Sequence, residues 1–507
     1  MLFNSYAFIF GFLPITLLCF FATSKFSHRL AELLLVVASL FFYGWYNQKY
    51  VFLLLTLIVI NYLYSYAISC ARQRSASTAK TILTVSIINN LGLLIYFKYA
   101  NFFIVNIGHM AGIELKVLNV VLPLGVSFFT FTQIAFLVDV YRGIAREYSF
   151  IRYALFVIYF PHLIAGPMLH HKQIIPQFER QDTYKFSLNN FSAGLTVFII
   201  GLAKKVLLAD QLAYPANQIF DAVTHGGTPM LAEAWIGAFA YTLQIYFDFS
   251  GYSDMAVGLS RMFNIHLPVN FYSPYKARNI IEFWHRWHMT LSIFLRDYLY
   301  VSLGGNRRGT IRRYVNLMVT MLLGGLWHGA GWTFVLWGGL HGLYLVVNHG
   351  WRYLFGADGA SLVWRLLWGW VTFIAVVFAW VPFRAPDFDT AIHMFAGMLG
   401  GNGVSLPINF VILFKVDSSM VKFLGLTPLS GLPAVEYIVI FLGLLIVWFL
   451  PNTQQWIPCY KFVFDAEHEL AKGVQKQEMM YAVGLGLLMG MSLLSLNRAS
   501  DFLYFQF

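Results

Sequence analysis

The chain has 507 residues, of which 59% are hydrophobic and only 11% charged, with a mean hydropathy of +0.64. A soluble globular chain carries about 25% charged residues, so the composition excludes a string of soluble domains and indicates one polytopic membrane protein. The formal net charge of +11 is read as Lys and Arg in short loops that fix membrane orientation, with no nucleic acid as partner.

The first apolar run, from Tyr6 to Phe21, lacks a basic leader and a small-residue cleavage site and is expected to remain as a helix. Runs near 20 apolar residues read as spanning helices. They fall at about 6–22, 31–46, 50–69, 80–98, 118–139, 150–168, 190–209, 232–247, 313–326, 331–348, 363–383, 434–450 and 478–496. The expected fold is all-α, with roughly 11–13 crossings and with broken or re-entrant helices around a central channel. Loops holding Lys25 and Arg29, then Arg72, Arg74 and Lys80, then Arg142, Arg146 and Arg152 outweigh the alternate set of Lys49, Lys98 and Lys116. The richer set belongs in the cytoplasm, which turns the N-terminus outward. Histidine, aspartate and tryptophan clusters thin out after Ala385. The chain therefore divides into a core, 1–385, and a C-terminal membrane extension, 386–507, with a polar surface segment near 452–477. Cys19, Cys70 and Cys459 are scattered and form no CxxC pattern, so neither a disulfide framework nor a cysteine metal site is indicated.

Four stretches place ionisable groups among apolar residues, where each costs about 2.5–3.5 kcal/mol unless it faces the bundle interior or water. "FPHLIAGPMLHH", Phe160 to His171, carries two prolines that break a regular helix. It is either a kinked span with a loop histidine pair or a cavity lining. "YFDFSGYSDMAVG", Tyr246 to Gly258, puts Asp248 with Tyr252, and Ser250 with Asp254, on shared faces of a helix that continues through Gly251. A polar network ordering the bundle and a polar channel are equally open readings.

"EFWHRWHMTLSIFLRDYLYVSLGGNRRG", Glu282 to Gly309, reads as one amphipathic helix ended by Gly304-Gly305. His285 and His288 are three apart, but no third ligand follows in register, so no metal is assigned. Asn306 adjoins a basic cluster of Arg307, Arg308, Arg312 and Arg313, which serves as an orientation signal or grips donor phosphates. "GGLWHGAGWTFVLWGGLHG", Gly324 to Gly342, holds His328 and His341. His328 follows Trp327 and precedes Gly329-Ala330-Gly331, whose small side chains would let a substrate approach the backbone. A neutral imidazole tolerates such surroundings better than a charge and is a good base toward a hydroxyl. A satisfied core histidine is the alternative.

In this order the motifs resemble the membrane-bound O-acyltransferases, and most closely the bacterial branch that serves alginate O-acetylation. "SYAFIFGFLPI" and "NLGLLIYFKYANFF" resemble the same branch, and the likeness covers about residues 1–385. His285 departs from the family pattern, which has arginine there, and Phe294 from its tryptophan. The resemblance implies acyl transfer from a thioester to a hydroxyl inside the membrane. His328 matches the family's near-invariant catalytic histidine and His288 its second functional one. Asp248, Tyr252, Asp254, Trp327 and Asn306 are then channel or substrate-positioning candidates, and Arg307 and Arg308 candidates for the donor phosphates. Acetyl-CoA is the implied donor, with no bound cofactor. The acceptor is an exopolysaccharide, reached directly or through an extracytoplasmic acetyltransferase or carrier protein. The implied location is the bacterial inner membrane, among its lipids. D-alanyl transfer to teichoic acid is the rival within the family; a transporter or polymer conduit is the rival from another class.

Overall fold

A computed structural model describes residues 1–145, 149–356, 361–407, 427–429, 434–457, 478–498 and 502–503. It is helical almost throughout, with one short parallel strand pair, Ser405–Pro407 and Thr427–Leu429. Most of the polar segment near 452–477, together with Arg146 and Cys459, lies outside the described residues. Among the described residues, five helical stretches are long and apolar enough to cross a membrane by length and composition alone: Ala7–Ser24, Lys49–Arg74, Ala76–Ala111, Leu188–Thr224 and Leu362–Arg384.

The N-terminal half consists of α1 (Leu13–Ser24), α2 (His28–Gly44), α3 (Lys49–Arg74), α4 (Ala76–Leu94), α5 (Ala100–Ala111), α6 (Val126–Arg142) and α7 (Phe150–Ile158). Ser75 opens α4 by accepting the Thr78 N–H, and Gly112, in the left-handed region, closes α5. The expected span 80–98 is really a continuous helix from 76 to 111, joined through a π turn at Ile95–Tyr99. Lys98 therefore sits within a helix and is not a loop charge. The expected span 118–139 starts only at Val126. The run 150–168 breaks at Tyr159, where ψ reaches 113° before the short α8 (Phe160–Leu163). Pro161 lies in the first turn of α8, where its missing N–H is no loss, and it could not have continued α7, because its ring would clash with the Val157 carbonyl four residues back.

The loops rich in Lys and Arg gather at one end of the bundle. Arg72 donates to the Val140 carbonyl at 3.1 Å, and Arg152 pairs with Glu32 at 3.0 Å. At the other end the Tyr50 hydroxyl donates to Val121 O.

After α9 (His171–Ile174), α10 (Leu188–Ala203) passes through a π turn, Lys204–Ala209, into α11 (Asp210–Thr224). Beside them runs α12 (Leu231–Met262), 32 residues long and buried over nearly all its length. The helix does continue through Gly251. A Cβ there would lie 2.7 Å from Gly201 O, and one on Gly201 would lie 2.6 Å from Gly251 O. Only hydrogen at both places lets the two backbones approach so closely.

The expected single helix over Glu282–Gly309 is two helices, α13 (Ile280–Trp284) and α14 (Met289–Phe294), the second extended by a π turn, Leu295–Tyr300. The hairpin α15 (Thr310–His328) and α16 (Trp332–Phe355) follows, then α17 (Leu362–Arg384), α18 (Phe388–Met398), α19 (Ala434–Phe449), α20 (Thr453–Trp456) and α21 (Glu478–Ser495). α17, α18 and α19 all pack on α12, so part of the extension after residue 385 is built against the central helix.

Candidate functional site

His328 is the last residue of α15, and its imidazole is 5% exposed. Its ring centroid lies 4.8 Å from Trp327, 5.0 Å from Trp337 and 5.3 Å from Phe383, each ring edge-on. The turn to α16 runs through extended glycines, Gly329 at φ −155° and Gly331 at φ −157°. A Cβ on Gly329 would fall 2.1 Å from the Phe334 ring. This glycine thus makes room for an aromatic side chain, which corrects the expectation that it bares backbone to a substrate. The last carbonyls of α15 are held from the π turn between α4 and α5: Lys98 Nζ donates to Trp327 O at 2.7 Å and to His328 O at 2.8 Å, and the Tyr99 hydroxyl donates to Leu326 O at 2.8 Å.

His288 comes from the break between α13 and α14, with φ at +42° and no measurable exposure. A non-glycine residue is held in the left-handed region only where its surroundings over-determine it, and here they do. The Met289 N–H donates to Asn270 O at 3.0 Å, the Thr290 hydroxyl to Asn270 Oδ1 at 2.7 Å, and the Met168 N–H to the Thr290 hydroxyl at 2.9 Å. Phe249 of α12 meets the His288 ring edge-on at 4.7 Å. His285 is exposed while His288 is buried. The Trp327 ring stands 6.4 Å from His288 and 4.8 Å from His328. The two imidazoles, 40 positions apart in sequence, are no farther from each other than the sum of those distances.

Two cavities lie near this cluster; His328 lines the smaller, and the larger is lined by Met289 and Thr290 beside His288 but by neither histidine. One of about 60 Å³ is lined by Tyr46, Lys98, Ser127, Phe128, Trp327 and His328. The other, of about 350 Å³, is lined by His170, Met289, Thr290, Phe294, Asp297 and Tyr298. Between them Phe131 stacks on Trp327 at 5.7 Å and on Phe294 at 4.9 Å. The larger cavity belongs to the Lys- and Arg-rich end, because Tyr298 donates to Asp139 at 2.7 Å and lies under the Arg142 guanidinium at 5.7 Å.

The aspartates of α12 are engaged by lysines of the neighbouring π turn. Asp248 pairs with Lys205 at 2.7 Å and accepts the Leu503 N–H at 3.0 Å, while Lys205 also pairs with Asp210 at 2.8 Å. Asp254 pairs with Lys204 at 2.7 Å and accepts the Thr453 hydroxyl at 2.7 Å. Tyr252 stacks between Phe502 at 4.5 Å and Phe3 at 4.9 Å. None of the three lines either cavity beside the histidines. Asn306, Arg307 and Arg308 are exposed in the turn before α15. A rise of 1.5 Å per residue sets that turn about 27 Å from His328 along the helix.

Among the described residues, Asp139, His170 and His171 bring three ligand-type atoms within 4.8 Å of one another. His170 Nδ1, however, accepts the Lys172 N–H at 3.3 Å in capping α9, which leaves the ring proton on Nε2, 2.6 Å from Asp139 Oδ2. His171 Nδ1 lies 3.5 Å from the same carboxylate oxygen, and His170 lines the larger cavity. His341, buried on α16, also packs on Trp337, at 4.8 Å. Lys98, Phe249 and Trp337 lie within the sequence motifs but, like Asn270, are not singled out by them; their partners on distant elements reveal their place near the histidines.

Residues 40–383 match the model of the membrane-bound O-acyltransferase family. The chain is 41% identical over 434 residues to a peptidoglycan O-acetyltransferase of Helicobacter pylori, covering 80% of this chain and 81% of the relative. It is 42% identical over 403 residues to a probable alginate O-acetylase AlgI of Azotobacter vinelandii, covering 78% of each. A teichoic acid D-alanyltransferase of Streptococcus thermophilus is 27% identical over 242 residues, 45% of this chain and 57% of the relative.

Proposed function

The chain belongs to the membrane-bound O-acyltransferase family, and on that premise we propose that it passes an acetyl group from a thioester on one side of the membrane to a hydroxyl presented on the other, that of an exopolysaccharide or of an extracytoplasmic protein that hands the acetyl on to it. The observation that carries this reading is the convergence of two buried imidazoles on one tryptophan, with one cavity lined by His328 and Trp327 and another by Met289 and Thr290 next to His288. His328 borders the smaller cavity and takes the proton of the incoming hydroxyl. As that O–H bond breaks, the oxygen attacks the thioester carbonyl, and His288 supports the negative charge that develops on the carbonyl oxygen. Collapse breaks the carbon–sulfur bond, and the thiolate leaves with the proton returned by His328. The products are the O-acetyl ester and the free thiol. The aromatic wall of Phe128, Phe131, Trp327 and Phe294 keeps water from competing as acceptor.

The donor, acetyl-CoA, enters by the larger cavity at the basic end, which the loop-charge rule assigns to the cytoplasm of a bacterial inner membrane. Arg307 and Arg308 at that end suit its phosphates. The acceptor arrives at the smaller cavity, on an extracytoplasmic acetyltransferase or carrier protein that completes the modification of the polymer.

Relatives named for acetyl transfer, near 40% identity over about four fifths of the chain, favour acetyl over D-alanyl, whose named relative matches less than half. Their acceptors, peptidoglycan and alginate, support an extracytoplasmic glycan as the class. A conduit needs a continuous polar path, and the aromatic wall opposes one.

His328→Ala tests the reading in proteoliposomes supplied with acetyl-CoA and an oligosaccharide, with and without candidate extracytoplasmic partners. Transferred acetate should vanish while inserted protein stays at its normal amount. Undiminished transfer by this variant would refute it.

A further inference from the structure

His328 owes its place to the end of a helix, and the way that helix ends is unusual. The last carbonyls of an α-helix have no partner within it. A left-handed glycine commonly closes them, but Gly329 leaves α15 extended, at φ −155° and ψ 148°. Three consecutive carbonyls, those of Leu326, Trp327 and His328, are instead closed from outside by adjacent residues, Tyr99 and Lys98, more than 200 positions earlier. Both donors belong to the π turn at Ile95–Tyr99. Both side chains reach the same helix end from this turn, and π turns of this kind concentrate at functional sites.

Lys98 is also chemically suited to the place. Its ammonium sits at the negative end of the α15 dipole, where a cation is stabilising. It makes two hydrogen bonds at once, one to each residue whose ring forms the cluster. The same side chain borders the smaller cavity next to His328.

We propose that Lys98 is a positioning residue for acyl transfer: by holding the Trp327 and His328 carbonyls it fixes the imidazole of His328 and the indole that lies between the two histidines. This rests on the assignment of His328 as the base. Lys98 needs no proton transfer of its own for this role, only its donors.

The test is kinetic, on the full chain in proteoliposomes with acetyl-CoA as donor. Lys98→Met should lower kcat by about 30–100-fold, the scale expected for an angstrom-level misplacement of a catalytic group, with the donor KM within about twofold because the donor cavity is untouched. Lys98→Arg keeps a permanent cation and its donors and should retain kcat within about tenfold. A Lys98→Cys variant, in a background with Cys19, Cys70 and Cys459 replaced by serine, should be nearly inactive and regain activity when 2-bromoethylamine rebuilds an aminoethyl side chain. That comparison is made on one membrane preparation, so it stands even if Lys98→Met fails to insert. Absence of rescue at full alkylation, or a Lys98→Met kcat within twofold of the parent, overturns the inference. Should either occur while His328→Ala is inactive, only the role of Lys98 falls. Activity in His328→Ala would remove the base assignment instead.

Discussion

Replacing Lys205 should cost far more stability than replacing Asp248, although the two form one ion pair. Lys205 is 3% exposed and bridges two carboxylates, Asp210 at 2.8 Å and Asp248 at 2.7 Å, that are themselves 5% and 2% exposed. Lys205→Met removes the only cation of this trio and leaves two buried negative charges side by side. Losing one partner of a buried pair costs about 3–5 kcal/mol, and the second carboxylate puts this case at the upper end. Asp248→Asn leaves the Lys205–Asp210 pair balanced and keeps an oxygen for the Leu503 N–H. Its cost is that of one charge-assisted hydrogen bond, about 1.5–3 kcal/mol. At 1.4 kcal/mol per power of ten, the two variants should differ by about one to two powers of ten in their folding constants. Chemical denaturation of both, purified in the same lipid discs, measures this. Acetyl transfer per folded molecule should stay within about threefold of the parent in Asp248→Asn, because an ion pair that only ties α12 to its neighbour keeps its shape. Equal stabilities would refute the charge argument. Transfer lost from a fully folded Asp248→Asn would return Asp248 to the channel role that its sequence pattern had left open.

Three further outcomes are expected. His288→Gly should be about 1 kcal/mol more stable than His288→Ala by denaturation, because φ of +42° strains any residue with a Cβ; both should lose transfer, and the reverse order of stability would dismiss the strain. Gly329→Ala should lower transfer at least tenfold, since its Cβ meets the Phe334 ring at 2.1 Å and overpacking costs about 1–3 kcal/mol. Adding Phe334→Ala should recover part of the loss, and no recovery would show that the glycine serves something other than this ring. Arg307→Ala with Arg308→Ala should raise the donor KM about fivefold at nearly constant kcat, and a cysteine at position 308 should label from the cytoplasmic face; labelling only from outside would reverse the assigned orientation.

Long apolar runs are a local property, and they alone determined that the chain is helical and built for a membrane, because nothing but a helix or a closed barrel satisfies its own backbone there. Local order also marked His328 and His288, since each sits in a motif whose residue types are adjacent in the chain. The helical spacing of Asp248, Tyr252 and Asp254 was legible for the same reason: α12 is regular, and a period of 3.6 decides which residues share a face. Tertiary structure decided what those faces meet. Lys205 and Lys204 claim the two aspartates from a neighbouring π turn, a contact that no pattern within Tyr246–Gly258 encodes. His288 reads as one position in an amphipathic helix, yet Asn270 draws off the N–H of Met289 and the hydroxyl of Thr290, and the helix breaks there. Lys98 reads as a loop charge until the open end of α15 is brought against it. Sequence patterning reports neighbours three or four residues away, whereas these partners stand about 20 to 230 residues apart, and only the packed chain brings them within hydrogen-bonding distance.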